Sequence, residues 1–105
     1  MKKETETKDK ILELIRANRH RIEAYGVRKV GLFGSFARNE QNLESDIDLL
    51  VEFEEDKKTF DNFIDLSFFL EELLKCHVEL VTTDALSPYI GPHILKEVEY
   101  VTFSS

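Results

Sequence analysis

Gly34-Ser35 stands ten residues ahead of Asp46-Ile47-Asp48, and no other feature of the chain constrains its fold as tightly. The glycine and serine close Val30-Gly31-Leu32-Phe33, an apolar run that reads as a short buried strand. The aspartates open a second such run, Ile47-Asp48-Leu49-Leu50-Val51-Glu52-Phe53. The link between them is too short for an ordinary parallel crossover, so the two strands are expected to be antiparallel. A Gly-Ser turn at a strand end suits a phosphate. Carboxylates two apart on a strand share one face, with Cα atoms about 6.5–7 Å apart. Accident would produce this spacing in about one chain of this length per thousand, so the pattern is read as a site for a triphosphate held through divalent metal.

A length of 105 residues supports one domain, 1–105. Hydrophobic content of 42% with eight phenylalanines is enough for one core, yet no stretch approaches the roughly 20 apolar residues that span a bilayer. The polar start, Met1-Lys2-Lys3-Glu4-Thr5-Glu6, has no apolar signal core. The single cysteine, Cys76, forms no internal disulfide and reads as a small, partly buried apolar side chain, which fits a cytoplasmic location. Net charge is −7, from 21 acidic against 14 basic residues. Affinity for nucleic acid comes from neutralising phosphates, so this balance argues against a stand-alone DNA or RNA binder. The local basic cluster of Arg16, Arg19, His20, Arg21, Arg28 and Lys29 reads as a solvated helix face and loop.

Ile11, Leu14, Ile15, Asn18, Ile22 and Tyr25 recur at helical steps and predict an amphipathic helix over 8–24, with Gly26 ending it. Phe36-Ala37-Arg38 is expected to be a short helix after the Gly-Ser turn. A second long helix is predicted from Phe60 to Lys75, with Phe68 and Phe69 adjacent on it. One of these belongs either to a contact patch or to a doubly covered core helix. His77 to Thr82 reads as a third strand. Asp84 or Ser87 is placed to cap a last helix, with Ile94, Leu95, Val98 and Val101 facing inward and Pro88 or Pro92 in its first turn. The expected order is αβαβαβα: an α+β (α/β) layer with three strands in a small mixed sheet and helices on one side.

Asp46 and Asp48 supply the hard oxygens that Mg²⁺ takes alongside substrate phosphates. Two such ions would bind the attacking and leaving oxygens of a displacement at phosphorus. Glu79 interrupts the apolar run Val78-Glu79-Leu80-Val81. It is either plain surface or a third ligand that also accepts the proton of an attacking hydroxyl. Gly34 admits a phosphate where a Cβ would obstruct it, and Ser35 offers amide and hydroxyl to the same oxygens. Arg38 either contacts phosphate or locks the loop through a carboxylate such as Glu44. No Gly-Lys-Ser/Thr follows a Gly-x4 run, so this is not a Walker loop. His20, His77 and His93 lack zinc-ligand spacing and read as structural or exposed.

Gly31-Leu32-Phe33-Gly34-Ser35-Phe36-Ala37-Arg38, followed by Ser45-Asp46-Ile47-Asp48-Leu49-Leu50-Val51, resembles the minimal nucleotidyltransferases of the polymerase-beta superfamily. Val78-Glu79-Leu80-Val81-Thr82 and Asp84-Ala85-Leu86-Ser87-Pro88-Tyr89 are similar to that family's closing segment. The resemblance implies a mixed sheet flanked by helices, with Mg-ATP across the Gly34-Ser35 turn. Asp46 and Asp48 match the family's metal-binding pair, and Glu79 stands where it usually has an aspartate. Asn39 replaces a common glycine and is expected to tolerate a left-handed backbone. The resemblance further implies AMP transfer from ATP to a tyrosine hydroxyl of a HEPN-domain ribonuclease toxin, as antitoxin, in a homodimer or hetero-oligomer. Two other readings stay open. One is an antitoxin of weak or no activity that neutralises by binding. The other is nucleotide transfer to a small molecule or RNA end.

Overall fold

The computed structural model describes residues 7–42 and 44–103; the first six residues, read above as a polar start, lie outside them. The N-terminal periodicity forms α1 (Lys8–Ala17) and α2 (Arg19–Glu23) in place of one helix. Thr7 caps α1 by accepting the Lys10 N–H on its hydroxyl oxygen. The break falls at Asn18, whose side-chain amide donates to the Leu14 carbonyl at 2.9 Å. An asparagine that bonds its own backbone competes with helix continuation, which the apolar periodicity alone does not register. Gly26, at φ +90°, turns the chain into the sheet just beyond α2.

β1 (Val27–Phe33) and β2 (Ile47–Phe53) pair antiparallel, as the short link predicts, with Leu32 opposite Leu49 and Phe33 opposite Asp48. Between them, residues 34–39 form successive turns where a short helix was expected. Asn39 takes φ 57°, the left-handed backbone anticipated for it. Thr59 caps α3 (Phe60–Leu74) by accepting the Asn62 N–H. The chain then returns as β3 (Val78–Thr82), parallel to β2, with Asp48 beside Glu79.

The C-terminal segment departs from expectation. α4 (Gly91–Glu97) stops before Val98, and Glu99–Thr102 forms a fourth strand, β4, antiparallel to β1. Tyr100 and Val101 carry aromatic and β-branched side chains, which lose rotamer freedom in a helix and pack well on a pleat. The outer edge of β1 supplies the hydrogen-bonding partners. The sheet is therefore mixed and four-stranded, in the order β3-β2-β1-β4.

Alternation along the strands divides the interior. Val30, Leu32, Ile47, Leu49 and Val51 pack with Ile11, Ile15, Ile22, Leu66, Leu70 and Leu74 in the main core, under α1 to α3. Phe33 and Leu50 point the other way and meet Ile94 of α4 in a smaller cluster. Helical structure thus covers both faces rather than one. Of the adjacent phenylalanines on α3, Phe68 is exposed while Phe69 packs near Tyr25 and under Arg21. Among the described residues no helix is long and apolar enough to cross a membrane.

Lys75 ends α3 at φ 55°, a conformation that costs any L side chain energy glycine does not incur. Lys75→Gly is expected to stabilise the fold by about 0.5–1 kcal/mol in urea unfolding. Destabilisation would show that the lysine side chain itself holds the turn.

Candidate active site

β2 carries the site because alternation puts Asp48 on the face away from the main core. The pairing of β2 with β3 sets Glu79 directly beside it, and the pairing with β1 sets Phe33 on its other flank. Gly34 follows Phe33 at φ +80°, and a Cβ at that position would collide with the Asp48 carboxylate. The glycine therefore serves two ends: it permits the positive φ, and it lets the aspartate lie against the turn. Ser35 and Phe36 come next. Among the described residues their backbone amides have no intramolecular acceptor, nor has the Ser35 hydroxyl a partner. Three donors consequently stand free beside a carboxylate.

Asp48 is half-buried, and its pKa is pushed up from 3.8 to about 6. Desolvation is the largest cause; the charges of Glu79, Asp46 and Glu97 add to it, and Arg38 opposes them. Asp46 just precedes β2 and is exposed, with its Oδ1 3.3 Å from His77 Nδ1. His77 Nε2 in turn lies 3.7 Å from Glu71 Oε2. Glu79 is exposed. Among the described residues no three acidic, histidine or cysteine side chains stand close enough to hold a metal ion. The charges of Asp46 and Glu79 both act on Asp48, yet the three carboxylates form no closed cage.

Arg38 is held by carboxylates. Its Nε donates to Glu40 Oε1 at 2.9 Å, and its Nη1 donates to Glu97 Oε1 at 3.0 Å and Oε2 at 3.1 Å. The partners are Glu40 and Glu97, not Glu44. Sequence reasoning did not identify Glu97, which lies 63 residues from Gly34 in the chain yet accepts its N–H at 2.8 Å. A glutamate at the end of a short helix gives no local signal of such a contact.

Beside the carboxylates lies a cleft of about 340 Å³, with Asp48 and Glu79 meeting an apolar wall of Phe33, Val81, Leu86 and Ile94. A wider hollow of about 520 Å³, lined by Arg21, Phe68 and Phe69 among others, lies on α2 and α3, on the far side of the sheet.

A turn with free amides at the end of β1, beside carboxylates on β2 and β3, is an arrangement suited to phosphoryl groups. The chain matches the profile of the nucleotidyltransferase domain over residues 9–101, and it belongs to that family as a nucleotidyltransferase. It is 40% identical over 96 residues to the protein adenylyltransferase MntA of Thermococcus cleftensis, covering 90% of this chain and 96% of that one. A solved structure described as a minimal nucleotidyltransferase is similar with a TM-score of 0.67 at 38% identity, covering 84% of this chain and 93% of that one. A chain from the complex of tri-AMPylated Shewanella oneidensis HEPN toxin with MNT antitoxin shares the fold. Its TM-score is 0.60 at 18% identity, covering 85% of this chain and 70% of that one.

The raised pKa of Asp48 gives a stability test. The unfolded chain loses this proton near 3.8 and the folded chain only near 6, so stability falls as pH rises through that interval. The full shift corresponds to about 3 kcal/mol, which screening by water at a half-exposed group reduces to about 1 kcal/mol. With a chelator present, Asp48→Asn is expected to raise the melting temperature by about 4 °C at pH 7 and by nothing below pH 4. Equal melting at pH 7 would mean that the neighbouring charges leave Asp48 unstrained.

Proposed function

We propose that this nucleotidyltransferase is a Mg²⁺-dependent protein adenylyltransferase. It takes AMP from ATP and places it on a hydroxyl, a tyrosine of a partner HEPN toxin, and so acts as an antitoxin in the cytoplasm. The observation that carries the reading is the contact of Asp48 with the Gly34 turn, beside Glu79 and the free amides of Ser35 and Phe36. Similarity to an MntA protein adenylyltransferase and the fold shared with a HEPN–MNT complex support the choice of acceptor.

The donor set fits magnesium: Asp46, Asp48 and Glu79 offer hard carboxylate oxygens, and the raised pKa of Asp48 marks a concentration of negative charge that a cation would relieve. These three residues would hold the ions, which when bound neutralise the triphosphate and polarise its phosphoryl oxygens. The rest is the work of this chain's own groups. The amides of Ser35 and Phe36 and the Ser35 hydroxyl bind phosphate oxygens, and Gly34 leaves them room. Phe33, Leu86 and Ile94 exclude water from the adjoining cleft. The acceptor oxygen attacks the α-phosphorus, the bridging P–O bond to the β-phosphate breaks, and pyrophosphate leaves. The hydroxyl proton passes to the Glu79 carboxylate. Phe68, 66% exposed, is the outward member of its pair and would join a contact patch for the toxin or a second copy.

A second reading, neutralisation by binding alone, draws on the pairing of Asp46 with His77, which engages one oxygen of a carboxylate that a metal would need. One experiment separates the two. The chain is incubated with a HEPN toxin, ATP and Mg²⁺ and the toxin is weighed by intact-mass spectrometry. Adenylate adducts are expected, and Asp46→Asn or Asp48→Asn should reduce them below detection. A toxin silenced without any adduct would leave binding as the mechanism.

A further inference from the structure

Glu97 joins two parts of the site that are distant in sequence. Its Oε2 accepts the Gly34 N–H at 2.8 Å, and both its oxygens accept from Arg38 Nη1, at 3.0 and 3.1 Å. The Arg38 N–H meanwhile donates to the Gly34 carbonyl at 3.1 Å. Gly34 and Arg38 are therefore bound to each other through the backbone and again through one carboxylate. Glu97 is the last residue of α4, and Ile94, one turn earlier, packs on Phe33 and Leu50. The helix is thus anchored on the strand that leads into the turn. The carboxylate is only 27% exposed, so its bonds to Arg38 are less screened than those of an open surface pair.

Two consequences follow for an anion at the turn. The Gly34 N–H is already occupied, whereas the Ser35 and Phe36 amides that follow it are free among the described residues. Arg38 is tied through Nε to Glu40 and through Nη1 to Glu97, so its charge is paired within the turn. The arrangement also has a cost: Glu97 adds negative charge near Asp48. A neutral acceptor could tie the backbone without that charge, but it would hold the guanidinium less strongly.

We propose that Glu97 is a positioning residue for nucleotide transfer, fixing the 34–38 turn, through Gly34 and Arg38 together, in the shape that presents the Ser35 and Phe36 amides to the triphosphate. The proposal rests on the nucleotide-site reading above. It is tested by titrating Mg²⁺ and the non-hydrolysable analogue AMP-PNP into wild type, Glu97→Ala and Glu97→Gln by calorimetry, with KM for ATP and kcat taken from toxin labelling and folding followed by thermal melting.

Glu97→Ala is expected to raise Kd and KM about tenfold with kcat lowered less than threefold, since binding in ground and transition state suffers alike. Glu97→Gln keeps an acceptor for the Gly34 N–H and loses the charge opposite Arg38, so about a threefold rise is expected. Adding Arg38→Ala to Glu97→Ala should cost nothing further, because both changes release the same tie. Wild-type Kd in a folded Glu97→Ala, with only the melting temperature lowered, would overturn the proposal. So would tighter binding, which would make Glu97 a competitor of the phosphate. If Glu97→Ala does not fold, wild-type Kd in Glu97→Gln overturns it equally. Failure of the wild type to bind Mg-AMP-PNP would instead sink the nucleotide-site reading itself.

Discussion

The contact between the Asp48 carboxylate and the Gly34 turn is the constraint on which the site depends. It requires a central strand that cannot slip, because a shift of one residue would carry Asp48 into the main core and expose Ile47, Leu49 and Val51. Those three side chains are fully buried, and their burial fixes the register. The apolar face of β2 thereby determines the position of a charged group on the opposite face. Hydrophobic packing supplies the precision, and the carboxylate bears the electrostatic cost.

The two faces of the sheet are unequal. One is sealed by α1, α2 and α3 over a broad core; the other is covered by a seven-residue helix and a cluster centred on Phe33, Leu50 and Ile94. Asp48 and Glu79 belong to the thinner side. A substrate needs an opening and charged groups need water, and the face with less apolar burial offers both. The ties from Glu97 to Gly34 and Arg38 compensate in part, since they bind α4 to the turn where apolar contact is sparse.

Several elements were legible in the residues themselves. The antiparallel pair of β1 and β2 and the span of α3 to within a residue follow from local signals, a short link and a helical stripe. The left-handed backbone at Asn39 was expected only because the resembled family commonly has glycine there. The break at Asn18 and the fourth strand were not legible, for different reasons. Asn18 satisfies the helical period while its amide undoes the helix. Val98 and Val101 fit a helical stripe as well as a strand, and only the open edge of β1 decides between them.

The spacing of Gly34-Ser35 and Asp46-Ile47-Asp48 determined the kind of chemistry proposed, because a turn that admits an anion and carboxylates sharing a strand face are properties of short segments. What the tertiary structure alone decided was how those groups meet. It set Glu79 beside Asp48 through a parallel pairing, turned Asp46 toward His77, and brought Glu97 to Gly34 across most of the chain. Partners of that kind are chosen by strand order and helix packing, which sum contributions from the whole core and leave no trace in any one stretch of residues.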